Sequence, residues 1–151
     1  MLQPHAAWAR VFDHDPLLEV LFLDKLALLK EIDTYARAYD PRVIQLMATL
    51  TNSLQEVLIL RPDGRLLSDI RPLSRLNISV ILQEGDRREN GGAGGGGRGS
   101  LRTLTRSEHW QAQVHEAVRI ADVNLRAGVA SAGVRDVVLG PGWPGILLHE
   151  A

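Results

Sequence analysis

The chain has 151 residues and nearly balanced charge, with 17 Lys and Arg against 18 Asp and Glu and a net charge of −1. An apolar fraction of 45% beside 23% charged residues is ordinary for a globular protein and excludes a disordered chain. The weak net charge offers no long-range attraction for phosphate backbones and argues against nucleic-acid binding. There is no cysteine, which excludes disulfides and any thiolate metal site formed by this chain alone.

Two stretches of sequence bear on localisation. The start, MLQPHAAWARVFDHDP, lacks the basic and then apolar order of a secretory signal peptide. The most apolar stretch, PLLEVLFLDKLALL, contains Glu19, Asp24 and Lys25, so it is too short and too charged to span a bilayer. We therefore expect a soluble, cytoplasmic protein that does not associate with membranes.

The first predicted element is a helix from Asp15 to about Asp40. Asp15 suits an N-cap, Pro16 suits the first helical position, and Pro41 ends the pattern. One side of this helix is apolar, at Leu28, Ile32, Tyr35, Ala36 and Tyr39. Packing in a core explains this stripe better than a ligand site.

Between residues 44 and 83 the hydrophobic period changes to two. This pattern predicts four strands, at 44–50, 57–61, 65–70 and 76–83. TNS at 51–53 is predicted to be a turn, and PDG at 62–64 a tight hairpin. Strands with such short connections must pair antiparallel. The predicted fold class is therefore α+β, an antiparallel β-meander with flanking helices.

The segment EGDRRENGGAGGGGRGS, at 84–100, is unusually rich in glycine. Because glycine is costly to order, this segment predicts a loop or linker over residues 84–104. Gly92, Gly94 and Gly97 formally fit the dinucleotide fingerprint, but no apolar strand precedes them and no helix begins at the last glycine. A nucleotide site is therefore not favoured, and a plain linker and a flexible loop near a substrate channel both stay open.

A second helix is predicted from Thr105, with a capping box formed by Thr105 and Glu108. Its apolar face contains Trp110, Val114, Ala117, Val118, Ala121 and Leu125. Gly128 is placed to end the helix. RDVVLG at 135–140 predicts a short buried strand, GPGWPG then predicts a turn, and ILLHE predicts the first turn of a further helix.

Four histidines are scattered along the chain, at His5, His14, His109 and His115. His109 and His115 are six residues apart on a predicted helix and face different directions, so they cannot bind one metal together. We expect all four to be exposed or to have ordinary polar partners. Arg87 and Arg88 lie beside acidic residues and predict a solvated turn.

His149 and Glu150 follow the apolar run ILL. In zinc peptidases a histidine supplies a neutral imidazole ligand, and an adjacent glutamate acts as general base on the metal-bound water. Consecutive side chains point about 100° apart around a helix, so the glutamate can reach the water without ligating the metal. A His-Glu pair alone is weak evidence, because it arises often by chance.

Four separate blocks resemble, in the same order, the TldD/PmbA family of zinc metallopeptidases. They are LLKEIDTYARAYDPRV at 28–43, DGRLLSDIRPLSRLNISVIL at 63–82, GGGGR at 94–98 and VVLGPGWPGILLHEA at 137–151. The His-Glu pair favours the TldD-like subunit of the family over the PmbA-like one, whose lineage is expected to lack it. In one departure, GSLRTLTR follows GGGGR where the family usually has glycine and aromatic residues.

The resemblance implies roles for the last residues. The family pattern is H-E-x-x-x-H with a distant cysteine ligand, so His149 matches the first zinc ligand, Glu150 the general base and Ala151 a spacer. The second histidine would fall three positions beyond Ala151. The resemblance thus implies an internal fragment lacking the N-terminal region and the C-terminal catalytic part. We expect the fragment to be inactive and to bind no stoichiometric zinc.

The same resemblance implies how the chain is divided and what the complete enzyme does. Residues 1–83 would end an N-terminal α+β domain, 84–104 would be a linker, and 105–151 would contain a connecting helix, a strand and the truncated start of the metallopeptidase domain. The implied function is zinc-dependent cleavage of peptides or unfolded segments, in a heterodimer with a PmbA-like subunit. The alternative is a non-catalytic PmbA-like partner or assembly subunit. A free-standing α+β domain of unrelated function is disfavoured.

Overall fold

The computed structural model describes residues 15–142 and 145–150, and their fold is α+β, as predicted. A three-stranded antiparallel sheet of order β1-β2-β3 is covered on one face by helices. The main elements are α1 (Phe22–Tyr39), β1 (Val43–Leu60), β2 (Leu66–Glu84), β3 (Arg87–Gly97), α2 (Leu101–Leu104), α3 (Ser107–Arg126) and α4 (Gly145–Glu150). No helix within these residues is both long and apolar enough to cross a lipid bilayer.

The predicted first helix consists of two pieces. Asp15 caps a short 3-10 helix at Pro16–Glu19, where its carboxylate accepts a hydrogen bond from the Leu17 N–H at 2.8 Å. The backbone is extended at Val20 and Leu21, and α1 begins only at Phe22. The predicted N-cap is therefore correct, but it belongs to the short helix.

The predicted PDG hairpin is confirmed. Gly64 has a φ of +80°, which favours glycine, and its N–H donates to the Arg61 carbonyl at 2.9 Å. The hairpin joins two long strands, since β1 and β2 pair from Val43 opposite Leu82 to Leu60 opposite Leu66, with one shift of register between Val43 and Gln45.

The prediction of four strands was wrong, because residues 51–53 and Pro72 lie inside this ladder. Cross-strand pairing outweighs the local preference of TNS for a turn. The pairing of β2 with β3 ends at Ser74, so at Pro72 the strand β2 pairs with β1 only. A proline, which has no N–H to donate, is tolerated where a strand has a neighbour on one side only.

The predicted glycine-rich loop was also wrong over residues 87–97, which form β3 and pair with β2. Glycine is needed here because backbones approach closely. A Cβ on Gly91 would lie 2.0 Å from the Ala117 carbonyl oxygen of α3. A Cβ on Gly94 would lie 2.5 Å from the Asn77 side-chain oxygen of β2. The glycines therefore reflect tight packing of a strand, which composition alone does not reveal.

One hydrophobic core lies between the sheet and the helices α1 and α3. All six residues predicted for the apolar face of α3 are buried. From β2 the core contains Leu76, Ile78, Val80 and Leu82, and from α1 it contains Leu28, Ile32 and Ala36. Of the predicted stripe of α1, these three residues are therefore buried. Tyr35 is only partly buried and Tyr39 is exposed.

The start of α3 differs from the prediction. Arg106 is the N-cap without a side-chain hydrogen bond, and the Thr105 hydroxyl donates to the Arg102 carbonyl at the end of α2. The predicted capping box is therefore wrong, because Thr105 belongs to the preceding turn. The helix ends at Arg126, two residues before Gly128.

The predicted strand at 135–140 is absent. Residues 127–142 contain no strand, and Val138 is 97% exposed. A short apolar run becomes a strand only beside another strand, and none of the described strands lies next to this one.

Because α3 packs on the sheet, it shares the core of the preceding elements. The start of a catalytic domain beyond α3 stays a prediction.

Candidate functional site

The predicted site residues His149 and Glu150 lie at the end of α4. This helix has six residues, all exposed, and begins where the Gly145 N–H donates to the Gly142 carbonyl at 2.9 Å. Both side chains are thus presented on a short helix, and residues 127–142 before it contain no helix or strand. Ala151 and the middle of the predicted GPGWPG turn lie outside the described residues.

The described residues do not form a metal site by themselves. Nowhere in 15–142 or 145–150 do three or more His, Asp or Glu side chains cluster in a way that could hold an ion. A catalytic zinc ion usually needs three protein ligands. His149 is the one ligand that the family pattern assigns within this chain, so further ligands would have to come from elsewhere.

His115 has ordinary partners, as predicted. Its Nε2 lies 2.8 Å from the Tyr35 hydroxyl, and its ring stacks on Tyr39 with centroids 4.3 Å apart. This cluster joins α1 to α3 on the exposed side of the core. His109 is exposed, also as predicted. His5 and His14 lie outside the described residues.

An ion-pair network that the sequence analysis missed is centred on Arg42. Its guanidinium contacts Asp40 at 2.8 Å and Asp122 of α3 at 2.9 Å, and Asp122 also pairs with Arg126. Hydrogen bonds from Arg42 lower the pKa of both Asp40 and Asp122 below their usual values. No signal in the sequence could reveal this network, because Arg42 and Asp122 are far apart in the chain.

Arg87 also has a role that the sequence did not show. It was predicted to lie in a solvated turn, but its guanidinium donates to the carbonyls of Asn124 and Ala127, at 3.4 Å each. These carbonyls belong to the last turn of α3, where a cation is favourable. Arg87 therefore ties the start of β3 to the end of α3.

Comparison with known proteins decides the family. The sequence profile of the "PmbA/TldA metallopeptidase central domain" matches residues 15–125. The chain belongs to the PmbA/TldD metallopeptidase family. In this family member, the matched region runs from the 3-10 helix through nearly all of α3, so α4 lies outside it.

The curated relatives of this family member include proteins named metalloprotease TldD homolog. The one from Haemophilus influenzae is 43% identical over 162 aligned positions, which cover 100% of this chain and 32% of the relative. Those from two Buchnera aphidicola subspecies, of Schizaphis graminum and Acyrthosiphon pisum, are 41% and 42% identical, over 91% and 85% of this chain. The chain thus spans about a third of the length of these relatives.

Proposed function

We propose that this chain forms part of a TldD-type metallopeptidase, in which His149 ligates the metal and Glu150 accepts a proton during peptide-bond hydrolysis. One observation carries the proposal: the alignment with the Haemophilus influenzae metalloprotease homologue covers the whole chain, including α4. The adjacent His and Glu on this exposed helix suit those roles chemically.

Zinc is the metal that fits these residues best. A neutral imidazole is a common zinc ligand, and a glutamate beside a zinc ligand is a common general base in zinc peptidases. The relatives' name, metalloprotease, implies a metal but does not specify which one. The remaining ligands would come from polypeptide outside the described residues, so the isolated chain should retain no stoichiometric zinc.

The proposal extends to the substrate, the partner and the location of the complete protein. We propose that the complete protein cleaves peptides or unfolded segments in the cytoplasm, together with a PmbA-like subunit. The match of residues 15–125 to a metallopeptidase family supports a peptide substrate, whereas the partner and the location rest on the resemblance seen in the sequence.

The proposal is tested in a protein that extends this chain to the length of its relatives. Glu150→Gln removes the proton acceptor but preserves size, so we expect at least a ~100-fold loss of peptidase activity on an unfolded protein substrate. His109→Ala is the matched control, because it removes an exposed histidine from α3, and it should leave activity unchanged.

Full activity of Glu150→Gln would contradict the proposed role of this residue. An unaltered protein that hydrolyses no peptide, alone or with a PmbA-like subunit, would instead support the non-catalytic assembly function.

A further inference from the structure

The hairpin of β1 and β2 has two parts that differ in their support. From Val43 to Asn52, β1 belongs to the three-stranded sheet, because β3 pairs with β2 as far as Ser74. Beyond this point β1 and β2 pair only with each other among the described residues, up to the turn after Leu60. Residues 53–73 therefore form a two-stranded arm that extends from the sheet.

The hydrophobic core also ends where the arm begins. Its last members along the two strands are Leu50 and Leu76, which lie opposite each other. Within residues 53–73, all of which the structure describes, Pro72 alone is buried, and Leu60 is 73% exposed. A two-stranded hairpin without a third strand or a packed face is only marginally stable in water. The arm thus receives little support from its own packing.

The pair of residues at the junction is polar and lacks hydrogen bonds. Asn52 lies opposite Ser74 on the face that carries the core. The side-chain oxygen of Asn52 and the hydroxyl oxygen of Ser74 are buried, and neither has a hydrogen-bond partner among the described residues. Ser74 is 1% exposed, so bulk water does not reach its hydroxyl group. Both oxygens are therefore held in a state that costs free energy.

Movement of the arm at this pair of residues would relieve that cost. Bending the arm away from the helices exposes the two oxygens to water, which can then donate hydrogen bonds to them. At an apolar pair the same movement would only expose apolar surface, and the hydrophobic effect would oppose it. In the described part of the chain, no other buried side-chain polar atom lacks a partner. The cost of bending is thus offset in part at Asn52 and Ser74.

We propose that the arm pivots on the three-stranded sheet, with the paired residues Asn52 and Ser74 as its hinge. The sheet, α1 and α3 stay together during this movement, because they share one continuous core. Local opening of this kind makes backbone amide hydrogens exchange with solvent faster than those in the rest of the fold.

Hydrogen exchange in a protein extended to the length of its relatives tests the hinge. The amide hydrogens that bond β1 to β2 within the arm should exchange at least about tenfold faster than those that bond the same strands at residues 43–50. A hinge with apolar side chains gains nothing from water. Asn52→Leu combined with Ser74→Ala should therefore slow exchange in the arm by about fivefold.

Ser79→Ala is the matched control for Ser74→Ala. Ser79 also lies on β2, but on the opposite face of the sheet, where it is paired with Met47. Exchange in the arm of this variant should match that of the unaltered protein.

Three results would overturn the proposal. The first is an arm that exchanges no faster than residues 43–50, since the rest of the polypeptide or a partner would then hold it in place. The second is unchanged or faster exchange in the combined variant of Asn52 and Ser74, since these side chains would then not favour opening. The third is equal slowing by Ser79→Ala, since the effect would then not depend on the buried face.

Discussion

Arg42 joins the end of α1 to α3 beside the sheet through ion pairs with Asp40 and Asp122. It holds Asp40 and Asp122 in one network, and Asp40 is 8% exposed. Asp40 also accepts a hydrogen bond from the Arg42 N–H at 2.9 Å, which fixes the turn between α1 and β1. A neutral replacement at Asp40 should therefore weaken both the turn and the network.

We expect Asp40→Asn to lower the free energy of unfolding at pH 7 by about 1–3 kcal/mol. Folding lowers the pKa of Asp40, chiefly through the Arg42 hydrogen bond. Its contribution is therefore complete above the unfolded pKa of about 3.9 and is lost as the pH falls towards the folded pKa. The difference between variant and parent in urea unfolding should shrink below about pH 4 for the same reason.

Asp33→Asn is the control, because Asp33 pairs with Arg37 within a single exposed turn of α1. Such a pair contributes little to stability, so this variant should behave like the parent. A deficit for Asp40→Asn that stays constant through acid pH would contradict the role assigned to its carboxylate.

The packing of α3 on β3 determines much of the architecture at the level of elements. The sequence predicted the apolar face of α3 correctly, because the positions of a helical stripe are set by local spacing alone. It did not predict β3. The glycines of this strand are needed because the backbone of α3 lies close to it in space, and the sequence does not show which segments are close in space. Likewise, TNS and Pro72 carry local turn signals, which the long pairing of β1 with β2 overrides.

The contact between β3 and α3 gives a matched pair of substitutions. A Cβ at Gly91 would lie 2.0 Å from the Ala117 carbonyl oxygen, whereas at Gly92 the nearest atom would be 3.7 Å away. Gly91→Ala should thus lower the free energy of unfolding by about 1–3 kcal/mol or more, since α3 must shift. Gly92→Ala should change it by less than about 1 kcal/mol, and in the stabilising direction, because alanine suits a strand better than glycine.

Urea unfolding followed by the fluorescence of the buried Trp110 measures both variants. Equal stability of the two variants would show that α3 does not approach β3 as closely as described.

For the whole molecule, the sequence was sufficient to predict the fold class and to recognise the family. Blocks spread from residue 28 to 151 carried the resemblance, and the profile match over 15–125 confirmed it. The candidate site could be predicted only in part. His149 and Glu150 are neighbours in sequence, so the pair was visible, whereas the described residues contain no cluster of three or more potential metal ligands. Distant ligands leave no local pattern to detect.

The most direct test of the central claim is the zinc content of a protein extended to the length of its relatives, measured after dialysis. The unaltered protein and Glu150→Gln should each retain about one zinc ion, since the glutamate is proposed to act on the reaction and not to ligate the metal. His149→Ala should lose most of its zinc, because a proposed ligand is missing. Zinc retention by His149→Ala equal to that of the unaltered protein would contradict the account.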